Sequence, residues 1–283
     1  MEGSLALGIG LAILASTNIN VGKGVQKWKV HIWGKKGQMF NKENLPDTLI
    51  WFVGLALTAS AVVILPLALK YTERTSMVSS FNGVGMIGLV IFAWLVLHEK
   101  IGWRELGGAG LVLAGTALMK YFDAPVEQKS FSLTSFLMSF GAIFGGFGLL
   151  ALYSWKTNRF YGFSVGSLPG ILIGSAMILA DMGLVDTGNS IIGLVTNPLA
   201  IFGFICGVMA TVFTQFAFWR AKAMVVVPTI NSFIILAPVV IEYFTFGQSL
   251  KPVQYAAIAV IIAGVILLTA TEKSDRIEGV KKE

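Results

Sequence analysis

Eight stretches of this sequence contain no Asp, Glu, Lys or Arg: residues 3–22, 49–69, 78–97, 130–155, 160–180, 188–219, 223–241 and 252–271. A hydrocarbon core of about 30 Å is crossed by about 20 helical residues, so blocks of this length read as membrane spans. A ninth block, 106–119, is shorter, but Lys120 can snorkel toward headgroups and Tyr121 and Phe122 suit the interface, which extends it. The 32-residue block 188–219 is too long for one helix; Asn189, Asn197 and Pro198 divide it into a loop over 182–197 and a span that begins at Pro198, a favoured first-turn residue. Barrel strands would be about 10 residues long with alternating polarity. The expected fold is therefore all-α and integral to the membrane, with about nine transmembrane helices. Composition agrees: 13% of the 283 residues are charged and 55% are hydrophobic, too little charge to cover a water-soluble surface.

Basic residues orient such a bundle, because cytoplasmic loops hold an excess of Lys and Arg. With the N-terminus outside, sixteen of the 21 basic residues fall in inside segments, Lys23 and Lys27 among them. Five fall outside: Lys70, Arg74, Lys120, Lys129 and Lys251. The expected placement is a multi-pass plasma (inner) membrane protein with a cytoplasmic C-terminus. The apolar run 5–21 is followed, not preceded, by basic residues, so it reads as a retained first helix and not as a secretory leader. The net charge of +6 is topology signalling and not a nucleic-acid footprint. A single cysteine, Cys206, leaves no disulfide within the chain.

A shift of 149 positions lays residues 77–119 over 226–268, pairing Asn82 with Asn231, Ala114 with Ala263, Gly115 with Gly264 and Leu118 with Leu267. Each copy is a span, a short polar turn and a Gly/Ala-rich span. In the charge-derived topology the third span runs inward and its partner, the eighth, runs outward, so the copies are inverted. Inverted repeats meeting near the midplane are a recurrent architecture of secondary transporters. The expected organisation is one membrane domain over 1–271, with a first half 1–122 and a second half 130–271, and a charged cytoplasmic tail 272–283.

Polar side chains are costly in lipid and face a bundle's interior, which makes Asn18, Asn20, Ser79, Asn82, Gln215 and Asn231 the candidate substrate contacts. Asn82 and Asn231 lead as a symmetric pair of amides; bonding between helices is their alternative role. Asn18 and Asn20 are two apart and cannot share a face. Gln215 shares one with Thr211. Glu242 and Asp181, toward the outer ends of their spans, are candidates for a proton or coupling-ion site. Gly141 with Gly145, Gly166 with Gly170 and Gly174, and Gly203 with Gly207 are spaced for helix packing. Pro228 and Pro238 flank Asn231 and mark its helix as the one to kink or break. Neither a converging catalytic set nor a nucleotide or cofactor motif is present: His31 and His98 lie in inside loops, and no P-loop, HExxH or Gly-x-Ser-x-Gly occurs. The expectation is a non-enzymatic chain without a cofactor whose partners are a small-molecule or ion substrate and the bilayer, with a homodimer left open.

The stretch Leu95-Val96-Leu97-His98-Glu99-Lys100, then Trp103 to Ala109 and Leu113-Ala114-Gly115, resembles the hairpin with Glu and the following Gly-rich span of EamA-type transporters in the drug/metabolite transporter superfamily. The second copy carries Gln248 at the Glu position. Within that superfamily the first half looks most like NIPA-type magnesium transporters, through an opening helix ending Gly22-Lys23-Gly24-Val25-Gln26-Lys27, a basic loop, and three helices closing on Asp123-Ala124-Pro125-Val126-Glu127. It differs from them at Lys70 to Thr75 and Ser79 to Gly83, where those proteins carry a small, Pro-containing stretch. The resemblance implies a carrier of a small polar metabolite by alternating access, magnesium or another divalent cation as the alternative, and a coupling role for Glu99.

Overall fold

The computed structural model describes residues 2–34, 41–72, 82–122, 131–188, 191–246 and 251–270; Ser79, the side chains of Asn82 and Asp181, and the tail 272–283 lie outside the described residues. The chain folds as α1 (Glu2–Trp28), α2 (Leu45–Thr72), α3 (Asn82–Leu95), α4 (Trp103–Tyr121), α5 (Leu133–Thr157), α6 (Tyr161–Asp186), α7 (Ile191–Thr196), α8 (Pro198–Arg220), α9 (Ala223–Phe246) and α10 (Pro252–Ala270). Short 3-10 turns at Val30–Trp33 and Lys42–Asn44 join α1 to α2. No strand occurs among the described residues.

This is an all-helical, multi-pass membrane protein. By length and composition six described helices qualify as spans, namely α2, α5, α6, α8, α9 and α10. α3 has a shorter apolar run, Val84–Leu95. The outer faces of α5 and α8 are apolar and uncovered, with Leu149 70% and Phe204 74% exposed; in water such belts would be a liability, and in lipid they are the solvated surface. α6 and α9 form the buried centre, α6 packing most closely on α8 and α9.

Local chemistry sets the ends of the second-half helices. The Ser132 side chain accepts from the Ser135 amide at 3.2 Å and starts α5, and Asn158, in the left-handed conformation, ends it. Asn197 caps α8 by accepting from the Leu199 amide at 2.9 Å, with Pro198 behind it in the first turn. The expected division of 188–219 at this point is thus found. The expected loop over 182–197 is not: α6 runs on to Asp186, and Ile191–Thr196 forms α7. The apolar residues after Asp181 let the helix continue past that carboxylate to a second, Asp186, at its end.

Glycine sets the closest helix approaches, though only partly where spacing pointed. A Cβ on Gly170 would lie 2.6 Å from the Ile230 carbonyl oxygen, and one on Gly174 2.6 Å from Pro238, so α6 rests directly on the α9 backbone. Gly203 likewise lets α8 approach the Ala176 carbonyl of α6. Gly141, Gly145 and Gly207, by contrast, have nothing within 4 Å; spacing of four marks a smooth face and does not say that a helix covers it. Elsewhere α1 and α2 meet at Gly22 and Gly54, and α4 and α10 at Gly108 and Gly264, each glycine facing the other's carbonyl oxygen. Of the expected kink or break at the prolines, the break does not occur: α9 is continuous from Ala223 to Phe246 through both. Around the first proline, the Thr229 hydroxyl donates to the Val225 carbonyl and the Ser232 hydroxyl to that of Pro228.

Candidate functional site

α1 brings polar groups to four neighbouring helices at once because its polar residues are spread around the helix. Toward α2, the Asn18 amide donates to the Ser60 hydroxyl at 3.0 Å, and Gln26 donates to Thr58 at 3.1 Å. Toward α3, Ser16 accepts from the Gly85 amide at 3.2 Å. Toward α8 and α9, the Lys23 ammonium approaches the side-chain Oδ1 of Asn231 at 3.5 Å, and Lys27 donates to the backbone carbonyls of Phe218 and Ala221.

Gln215 lies at the centre of one buried knot. Its amide nitrogen donates to Gln26 Oε1 at 2.8 Å, and its oxygen accepts from the Trp51 indole at 3.0 Å. Gln26, Trp51 and Gln215 are each at most 3% exposed. With Thr58, this network ties α1, α2 and α8 together, and its groups satisfy one another. Thr211 and Thr214 turn back on their own helix, to the carbonyls of Gly207 and Ala210.

A second polar group is less complete. Asn20 donates to the Ser16 carbonyl at 2.9 Å, yet its own side-chain oxygen is buried without a hydrogen-bond partner among the described residues. Lys23, one turn further along the same side of α1, is 6% exposed. The basic-residue tally counted Lys23 among the inside segments, and the resemblance put it near the end of the opening helix; it lies within α1, buried against α9. Neighbouring helices supply enough apolar surface to cover its stem, which charge counting along the chain does not register. Asn231 lies eight residues into α9, about 12 Å along its axis.

One end of the bundle, holding the Lys-rich α1–α2 connection, is clamped. Glu99, in the turn between α3 and α4, is buried and accepts from the Ala223 and Met224 amides at 2.7 and 3.2 Å, capping α9. Burial raises its pKa, outweighing the two amide bonds and the nearby Lys27 and Lys222 charges. Lys222 bonds the Lys100 carbonyl at 3.1 Å and lies 3.9 Å from Glu105. Asp47, opening α2, pairs with Lys29 at 2.6 Å and with His31 at 2.9 Å. A recess of about 410 Å³ at this end is lined by Lys27, Trp28, Val30, His31, Val96, Leu97 and Glu99.

The structure therefore brings Asn20 and Asn231 near Lys23, draws Asn18 and Gln215 into interhelical bonds, and puts Glu99 at a helix end. Glu242 lies partly buried on the far stretch of α9, away from this group along the helix. Asp181 is on α6; Asn82 opens α3. Lys23, Gln26 and Trp51 were not singled out by sequence. Their one available signal was that Lys23 and Gln26 extend the polar stripe of α1 beyond Asn20 at helical spacing.

No curated protein and no solved structure matches the chain. Residues 30–121, roughly a third of the length, match the EamA-like transporter family, and this supports the drug/metabolite transporter superfamily as the one that this multi-pass membrane protein resembles.

Proposed function

We propose that the protein is a secondary transporter that moves a small polar metabolite across the membrane by alternating access between two inverted halves, 1–122 and 130–271. The observation that carries this reading is the polar line from α1 to α8 and α9, Gln26 to Gln215 and Lys23 to Asn231, which joins the two proposed halves inside an apolar bundle. A structural subunit has no need of an incompletely bonded ammonium there.

The packing plan supports two halves. α1 packs on α2 and α3, and α6 packs correspondingly on α8 and α9, while α4 and α10, which begin 149 residues apart, pack on each other. Val112 and Ile261, also 149 apart, share one apolar cluster, so that pair is centred at equivalent points. On this reading the clamp of Glu99, Lys27 and Lys222 on the α8–α9 corner closes the inner side, and its release opens the site inward. The match to a transporter family is consistent with carriage and not catalysis. The magnesium alternative draws no support from the site, since the charge buried between α1 and α9 is positive.

The test is counterflow in proteoliposomes preloaded with sugars, nucleosides, amino acids, organic acids or magnesium. At least one organic solute should accumulate, and Asn231→Ala should reduce its uptake. Folded protein that exchanges none of them would sink the reading; exchange of magnesium alone would replace it with the cation carrier.

A further inference from the structure

We infer that the Lys23 ammonium, with the amides of Asn20 and Asn231 beside it, binds the carboxylate of a small hydroxy acid. The inference rests on the transport reading and names its class of solute.

Lys23 has three N–H donors and is 6% exposed. Among the described residues its only hydrogen bond is to Asn231 Oδ1 at 3.5 Å, the long limit for such a bond, and no described carboxylate pairs with it. A buried charge with so little compensation is costly unless a counter-ion arrives. The other basic groups near it are engaged: Lys27 with two carbonyls, Lys29 with Asp47, and Lys222 with Lys100 and Glu105. Lys23 is the one left open, and the recess lined by Lys27 begins one helical turn beyond it.

The partner's chemistry follows from charge and from hydrogen-bonding sense. One ammonium balances one negative charge, so a carboxylate fits better than a phosphate dianion, which would keep excess charge in an apolar interior. The Asn20 bond to the Ser16 carbonyl identifies the nitrogen end of its amide, so the unpartnered atom is an acceptor. Asn231 also offers its oxygen toward Lys23. Two acceptors beside one cation call for a donor on the solute as well as an anion. A hydroxyl supplies that donor without charge, whereas an ammonium would meet Lys23 as a like charge.

The experiment compares lactate, propanoate, alanine and lactamide on the full chain, by thermal shift in detergent and by exchange in proteoliposomes. Lactate should raise the melting temperature with dose, propanoate less, and alanine and lactamide not at all. Lys23→Met should weaken the lactate response at least ~10-fold, the scale of losing a charge-assisted bond. Since Lys23→Met removes a packed side chain, Asn231→Asp is the second variant: it places a carboxylate beside the ammonium, and should stabilise the unliganded protein while abolishing the lactate response. The inference is overturned if neither acid stabilises the wild type, if lactamide or alanine matches lactate, or if Asn231→Asp still responds to lactate. The two readings separate cleanly. Lactate binding through Lys23 without exchange keeps the site and removes the transporter, while exchange of neutral solutes untouched by Lys23→Met keeps the transporter and removes the site.

Discussion

Glu99 couples one protonation event to the end of a central helix. Because burial raises its pKa in the fold, the native state holds this proton more tightly than the unfolded chain does. Its contribution is therefore fully present below the ordinary carboxylate range and is lost as pH rises through the raised value. Melting curves between pH 4 and 7 should show that decline in the wild type, and Glu99→Gln should flatten it. Glu99→Ala should cost about 1–2 kcal/mol at low pH through the lost cap, read by chemical denaturation in detergent. The amide knot behaves differently. Gln215→Leu leaves the Trp51 N–H and Gln26 Oε1 buried without partners, a loss of about 1–2 kcal/mol, whereas Gln26→Leu with Gln215→Leu should cost less than the sum of the two single changes. An additive double variant would mean that the two amides do not act as one network.

Between elements, contact is decided by where small residues meet a neighbour's backbone. Gly170→Leu drives a side chain into the Ile230 carbonyl and Phe233, so α6 and α9 must separate; a loss of about 1–3 kcal/mol or more is expected. Gly145→Leu on α5, with nothing within 4 Å, should melt within about 0.5 kcal/mol of the wild type. Equal losses at both positions would contradict the packing of α6 on α9. Spacing in the sequence grouped these glycines together, and only the neighbour's position tells them apart. The same holds for the prolines of α9: Pro228 and Pro238 read as sites of a kink or a break, but packing against α6 and nearby hydroxyl bonds keep the helix continuous.

At the scale of the whole molecule, the proposed topology puts the α5–α6 turn and the α9–α10 turn on opposite sides of the membrane. In a Cys206→Ser background, which removes the chain's one cysteine, Lys251→Cys should react with an impermeant maleimide in intact cells. Asn158→Cys should react only after permeabilisation. The reverse pattern would invert the orientation, and equal labelling of both would undo the parity on which inverted halves depend. Of the proposed repeat, one pair of elements was legible in the sequence: α4 and α10 begin 149 residues apart, at Trp103 and Pro252, and each has 19 residues.

The sequence by itself determined the membrane class, the helical fold, the division at Asn197 and Pro198, and the resemblance to a transporter family, because each depends on local runs of hydrophobicity, capping chemistry or short motifs. What only the tertiary structure decided is which polar groups meet. Asn18 and Asn20 look alike in sequence, yet one bonds across to Ser60 and the other keeps a buried oxygen open. Lys23 counts as a topology-signalling charge along the chain but is an interior one in the bundle. Burial and hydrogen-bond partners come from helices distant in sequence, α1 against α8 and α9, and no period or motif within one helix encodes the face its neighbour will cover.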